Sequence, residues 1–310
     1  MALFVVAVRL GVRLVRIAFQ GEPGAYSEAA ALRFNPAADV IPCSTFEEVF
    51  AAVEGSKSGY GILPIENSIG GSIHRNYDLL VQHELPIVGE VMLFVTHQLM
   101  AVPGTRLEQV KRIYSHPQAL AQCERYLQGL TGVEIIATYD TAGSAKLVRD
   151  QYGHEAAAIA SSRAAEVFGL SVLASGIQDF EENITRFLII SRSPTPLGDP
   201  NKTSLVFTLH NEPGALFKSL SVFALRNIDL TKLESRPIQG RAFEYLFYVD
   251  ISVPRQDLQC ARALVHLAEF ARSMRTLGSY PAWREPDRAN REDGADRADG
   301  EDRGKRNTGS

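Results

Sequence analysis

The chain is poor in cysteine, and the little it has is badly placed for chemistry. Cys43, Cys123 and Cys260 are the three cysteines in 310 residues, far apart and without CxxC spacing. That excludes a disulfide framework and a thiolate zinc site, and leaves three small core residues of a reducing compartment. An excess of positive charge is also missing, since 32 Lys and Arg stand against 36 Asp and Glu, a formal net charge of -4. With no basic stripe interleaved with aromatics, no nucleic-acid partner is expected. The opening MALFVVAVRLGVRLV is apolar but is interrupted by Arg9 and Arg13. No basic segment precedes it and no small-residue cleavage site follows, so it reads as neither an export signal nor a membrane anchor. Residues 1–15 are taken as an N-terminal extension with a start codon set too early, and the protein as cytoplasmic, without membrane contact. The glycosylation patterns at Asn183 and Asn201 then have no role.

The fingerprints of cofactor chemistry are absent as well. Gly21 and Gly24 in GEPGAYSE stand three apart around Glu22 and Pro23, which is not the GxGxxG of a dinucleotide turn. There is no GxSxG nucleophile elbow, no phosphate loop and no metal triad. The chemistry is expected to need no cofactor and no metal.

What is present is enough apolar sequence for a substantial core: 45% hydrophobic residues, in a length that suits about two domains. VRIAFQG, GYGILPIE, KRIYSH, VEIIATYD and EAAAIAS read as strands. GAYSEAAALRF, STFEEVFAAVEGSKS, PQALAQCERYLQGL, TAGSAKLVRDQY and RAAEVFGL read as helices between them. Such alternation predicts an α/β fold with a mainly parallel sheet. GEVMLFVTHQLMAVPGT and TRFLIISR are long extended runs placed to carry the chain between two lobes. Residues 16–194 are therefore read as a two-lobed unit with a cleft, and the proline-rich 195–201 as a linker. Residues 202–284 follow the order βαββαβ, with a turn at Gln239-Gly240, which is ferredoxin-like. Its first helix is expected to cover the sheet with Leu216, Leu220, Phe223 and Ala224. Residues 285–310 hold almost nothing apolar and are expected to be a disordered charged tail.

Polar motifs recur where strands end, and each has a plain reading as a turn or helix cap. GEPGAYSE offers helix-start N–H groups to an anion. PIENSIGGSI puts Glu66, Asn67 and Ser68 at the C-terminal end of a strand, where open α/β sheets bind ligands. Beside a carboxylate substrate Glu66 would repel, so it is expected to orient neighbours or meet a hydroxyl. YSHPQAL brings Ser115, His116 and Gln118, with Pro117 in the first helical turn, and DTAGSA adds Thr141 and Ser144. ENITRFLII sets Asn183, Thr185 and Arg186 before an apolar strand. Together they predict a cleft of neutral donors plus one guanidinium, suited to a small carboxylate-bearing ligand through a bidentate arginine.

GAYSE at 24–28, LPIENS at 63–68, SHPQA at 115–119 and NITRF at 183–187 resemble the prephenate dehydratase family, in that order and at similar spacing. NEPGAL at 211–216 and ESRP at 234–237 resemble the two ligand signatures of the ACT regulatory domain. The resemblance covers residues 16–283. It implies a catalytic domain like the type II periplasmic binding proteins, followed by an ACT domain, in a carbon-oxygen lyase that makes phenylpyruvate from prephenate for L-phenylalanine biosynthesis. It further implies that Thr185 donates the proton to the leaving hydroxyl, Arg186 holds a carboxylate, Phe187 packs below the ring and Glu66 joins them. Ala25, Tyr26, Ser27, Asn67, Ser68, Ser115, Gln118, Thr141 and Ser144 would bind the substrate. In the ACT part, Asn211, Gly214, Ala215 and Leu216 would receive the carboxylate of phenylalanine as feedback inhibitor, in a homodimer or homotetramer. Glu234 and Ser235 would face its ammonium across a subunit boundary. Two alternatives stay open: arogenate dehydratase, which shares fold and motifs, and a non-catalytic amino-acid sensor, which would have no use for a proton donor at Thr185.

Overall fold

A computed structural model describes residues 15–284 apart from Gln239 and Ala242. The charged tail, nearly all of the N-terminal extension and half of the 239–240 turn lie outside the described residues.

The first lobe is a sheet of β1 (Arg16–Gln20), β2 (Asp39–Cys43), β3 (Tyr60–Asn67), β4 (Gly71–Ser72), β5 (Ile87–Phe94) and a late strand, β11. The second lobe holds β6 (Gln98–Ala101), β7 (Arg112–Ser115), β8 (Glu134–Ala137), β9 (Ala156–Ala160) and β10 (Ser171–Ser175). β11 (Ile184–Ser191) brings the chain back into the first sheet, in the order β2-β1-β3-β11-β5. Both extended crossings are therefore where the sequence puts them. The sheets are mixed rather than mainly parallel: β1 runs parallel to β2 and β3, but β11 runs antiparallel to both β3 and β5. A strand that returns from the other lobe without a crossover helix is free to enter in the opposite direction.

Helices flank these strands: α1 (Tyr26–Phe34), α2 (Phe46–Glu54), α3 (His74–Gln82), α4 (Pro117–Ala121), α5 (Glu124–Gln128), α6 (Thr141–Leu147) and α7 (Ser162–Phe168). Four of these, α2, α4, α6 and α7, start at a side-chain cap. Thr45 Oγ1 accepts from Glu48 N at 3.2 Å while the Glu48 carboxylate accepts from Ser44 N at 2.7 Å, so α2 begins where its orphan amides are satisfied. The run predicted as one helix over PQALAQCERYLQGL breaks at Gln122-Cys123 into α4 and α5.

The last unit is β12 (Lys202–Leu209), α8 (Ala215–Ala224), β13 (Leu230–Pro237), β14 (Tyr245–Ile251), α9 (Leu258–Phe270) and β15 (Ala271–Tyr280). Its antiparallel order β13-β14-β12-β15 is the expected ferredoxin-like one. In α8 the covering stripe runs through Ser219, Val222 and Phe223, while Leu216 and Ala224 are exposed. Ala224 sits one residue, about 100°, beyond Phe223 and so leaves the covered arc.

The face of this sheet away from α8 and α9 packs on the first lobe. Val206, Tyr248, Leu277 and Tyr280 share one buried cluster with Val49, Phe50, Leu63, Leu80 and Leu188. A side chain at Gly278 would collide with the Ile87 carbonyl of β5, so glycine permits the close approach of β15. The linker is held as well: Leu197 N donates to Val88 O at 3.0 Å and its side chain packs on the lobe-one core.

Candidate active site

Strand period two decides which motif residues meet the cleft. On β11, Thr185 and Phe187 point into a cavity of about 500 Å3 between the lobes, and on β3 Asn67 does the same. Arg186 and Glu66, their sequence neighbours, point to the opposite face. The register between the two strands shifts between Arg186 and Phe187, opposite Pro64. A proline has no N–H to give to the ladder, and a bulge is where a strand tolerates one.

Inside the cleft, neutral hydrogen bonds link both lobes. Asn67 Oδ1 accepts from the backbone amides of Ile69 (3.1 Å) and Gly70 (2.7 Å), which fixes which end of the amide is which. Its Nδ2 therefore donates, to Thr185 Oγ1 at 3.0 Å and to Asn183 Oδ1 at 2.7 Å. Asn183 Nδ2 donates to Gln122 Oε1 at 3.0 Å, and His97 Nε2 stands 2.8 Å from the same oxygen. Because that oxygen only accepts, Nε2 carries the proton. Burial holds the imidazole below its ordinary pKa, although the Gln122 bond raises it, so the ring is neutral and Nδ1 accepts from Tyr26 OH at 2.8 Å. Burial in turn raises the Tyr26 phenol well above its usual range.

The consequence falls on Thr185. A hydroxyl has one proton and two acceptor sites. With Asn67 supplying a donor to Oγ1, the Thr185 proton is left for a ligand in the cavity, and a donated hydrogen bond to the oxygen polarises its O–H.

The expected substrate residues divide. Ala25, Tyr26, Ser27, Asn67, Gln118, Thr141, Thr185 and Phe187 line the cavity. Gln118 reaches across the lobes onto Gly70, where any side chain would strike its amide. Five do not line it. Ser68 Oγ bonds Glu182 O and Ile184 N at the back of β3, Ser115 Oγ donates to Ile159 O, and Ser144 Oγ donates to Asp140 O. Glu66 forms an ion pair with Lys232 at 3.0 Å. Arg186 is buried, with Nε 2.8 Å from Glu90, Nη1 2.5 Å from Asp250 and Nη2 3.1 Å from Tyr280 OH. Burial alone would lower its pKa, but Asp250, Tyr280 and Glu90 more than offset that and hold it above its usual value. Arg186 is thus spent on a neutral cluster with Lys202, which bonds Glu90 at 2.7 Å. Among the described residues lining the cavity there is no lysine or arginine, which corrects the expectation of a guanidinium in the cleft.

His97, Gln122 and Asn183 were missed by sequence reasoning. Asn183 stands in ENITRFLII but reads there as half a glycosylation pattern, and lone His97 and Gln122 carry no spacing signal. In the last unit, Asn211 and Gly214 (φ 76°) form the exposed turn before α8, with Ala215 half-buried and Leu216 at its rim. Glu234 and Ser235 lie on opposite faces of β13, so they do not meet one ligand group as expected. Glu234 is held by Ser72 Oγ (2.6 Å) and His74 Nε2 (3.2 Å) of lobe one.

Fold and site define a two-lobed α/β enzyme with a donor-lined interlobe cleft, without lysine or arginine among the described lining residues, and an appended ferredoxin-like domain. The chain belongs to the prephenate dehydratase family, whose model matches residues 17–195, and with that family it is a carbon-oxygen lyase. It is 50% identical over 278 residues to the chloroplastic arogenate dehydratase/prephenate dehydratase 2 of Arabidopsis thaliana, covering 86% of this chain and 73% of the relative. The solved prephenate dehydratase of Arthrobacter aurescens in complex with L-Phe is 32% identical at a TM-score of 0.79, covering 86% of this chain and 90% of that one. A structure described as GqqA, a novel type of quorum quenching acylase, is 38% identical at a TM-score of 0.81, covering 86% and 98%.

Proposed function

We propose that the cleft converts prephenate to phenylpyruvate, water and carbon dioxide, with Thr185 as proton donor. The observation that carries this is the Asn67 Nδ2 to Thr185 Oγ1 bond, which points the threonine proton at the ligand. That proton leaves with the C4 hydroxyl as water, the bond to the ring carboxylate breaks to release carbon dioxide, and its electron pair completes the aromatic ring. The Thr185 oxygen, left as an alkoxide, then takes a proton from water and releases hydroxide to solvent.

A lining without lysine or arginine among the described residues suits this step. Decarboxylation moves charge from the carboxylate into the ring, and a guanidinium fixed on that group would favour the ground state over the transition state. Phe187, Phe46 and Val95 offer apolar walls to the ring, while Gln118, Ser27, Thr141 and the helix-start amides of Tyr26 and Ser27 meet the remaining oxygens. Asp140 is the one carboxylate among the described lining residues. It would suit the ammonium of arogenate, and the Arabidopsis relative bears both substrate names, so arogenate is the second reading. Hydrolysis like that of an acylase is not supported: both His97 nitrogens are engaged by Gln122 and Tyr26, and Ser115 donates to a carbonyl.

Phenylalanine is read as the effector, at the 211–216 turn with Ser235, on the strength of the L-Phe complex of the Arthrobacter relative. The homo-oligomer reading is supported by Phe217 (77% exposed), Leu225 (76%) and Leu233 (44%), uncovered on the same unit. The cytoplasm is kept as compartment on the three free cysteines, although the plant relative is chloroplastic; fractionation decides.

The test is steady-state turnover of prephenate and of arogenate, each with and without phenylalanine, for the native chain and Thr185→Ala. The variant is expected to fold normally and to lose about 10² to 10⁴ in kcat. Near-native turnover by it removes Thr185 from the reaction.

A further inference from the structure

The cleft hairpin is gripped from behind by a strand of the ACT domain. Lys232 Nζ lies 3.0 Å from Glu66 Oε1, donates to Ser72 Oγ at 3.0 Å and stands 3.5 Å from Glu234. Ser72 Oγ donates onward to Glu234 Oε2 at 2.6 Å. Lys232 and Glu234 are only 14% and 18% exposed, so water screens these contacts far less than a surface pair. Burial raises the Glu234 pKa, but the Ser72 bond and the Lys232 and His74 charges bring it below the ordinary carboxylate value, in keeping with an ionised clasp.

What the clasp holds matters to the chemistry. Glu66 pairs with Ser72 and Asn67 with Gly71 across the β3–β4 ladder. The turn between them supplies the Ile69 and Gly70 amides that orient Asn67. Lys232 therefore binds both legs of the hairpin whose turn aims the Asn67 amide at Thr185. It does not itself line the cavity.

We propose that Lys232 is a positioning residue for proton donation: by tying Glu66, Ser72 and Glu234 together it fixes the 66–72 hairpin and, through Asn67, the direction of the Thr185 proton. This rests on the dehydratase reading. It also makes the ACT domain part of the active site's support, because β13 alternates: Lys232 and Glu234 face the hairpin, while Leu233 and Ser235 face outward on the α8 side. A ligand that displaces β13 from its outer face alters the grip on its inner one.

Lys232→Met and Lys232→Arg in the full chain test it, alone and with Thr185→Ala. Lys232→Met is expected to lower kcat about tenfold with KM changed less than about twofold, and Lys232→Arg to restore most of it. In the Thr185→Ala background, Lys232→Met should cost nothing further, since the proton it aims is gone. A native kcat in Lys232→Met, or a loss that recurs in full without Thr185, overturns the proposal. Amide hydrogen exchange separates this from the function itself: Lys232→Met should speed exchange at Ile69 and Gly70 while β7 and β8 keep their rates. Unchanged exchange there overturns the clasp even in an active enzyme. Faster exchange in a chain that turns over neither substrate overturns the dehydratase reading alone.

Discussion

A threonine hydroxyl is a weak acid, and what makes Thr185 useful is direction more than pKa. Asn67 can present only its NH2 end to Thr185 because its carbonyl end is held by two backbone amides. Asn67→Asp keeps the shape but replaces the donor with an acceptor. The Thr185 proton would then turn toward the new carboxylate instead of the substrate. We expect kcat to fall by about 10² or more, with the melting temperature lowered far less than for a cavity-forming change. An Asn67→Asp enzyme of native kcat would show that the amide does not aim the proton. His97 supports the same chain at a distance: neutral through burial, it keeps Gln122 oriented and, through Gln122, Asn183.

At the scale of the element, β3 and β11 each serve two sites. Thr185, Phe187 and Asn67 look into the cleft, while Arg186 and Glu66 look into the interface with the ferredoxin-like domain. Arg186 is therefore expected to matter to stability more than to substrate affinity. Arg186→Met leaves Glu90 and Asp250 buried with one fewer cation, a loss that typically costs about 3–5 kcal/mol. Urea unfolding should show it, and KM should change less than about threefold; a large rise in KM with native stability would return Arg186 to the cleft. The buried cluster of Arg186, Lys202, Glu90 and Asp250 is balanced in charge, which is how four ionised groups persist there.

For the whole molecule, the notable fact is that the ferredoxin-like sheet shares a core with lobe one rather than hanging from a linker. The two units should unfold together. The last unit leaves apolar surface on its outer side, at Phe217, Leu225 and Val265. Sedimentation is expected to show a dimer or larger for the native chain and a smaller species for Phe217→Asp. Equilibrium dialysis should find phenylalanine bound by the native chain at millimolar concentration and more weakly by that variant; equal binding would place the effector away from the 211–216 turn.

The sequence alone determined most of the alternating elements, the two crossings between lobes, the βαββαβ unit and the family, because periodicity, capping and contiguous motifs are local properties; it passed over β2, β4, α3 and β10, which are short or carry weak patterns. It also marked β3 and β11 as the strands carrying the chemistry. It did not decide which neighbour on those strands faces the substrate: alternation says that Thr185 and Arg186 diverge, but not which side is the cleft. Only the tertiary packing settles that, since the ferredoxin-like sheet covers the face that Arg186 and Glu66 share. The links through His97, Gln122 and Asn183 were equally out of reach, for they join residues 61 and 25 positions apart in the chain. Proximity of that kind exists once the lobes have closed on one another.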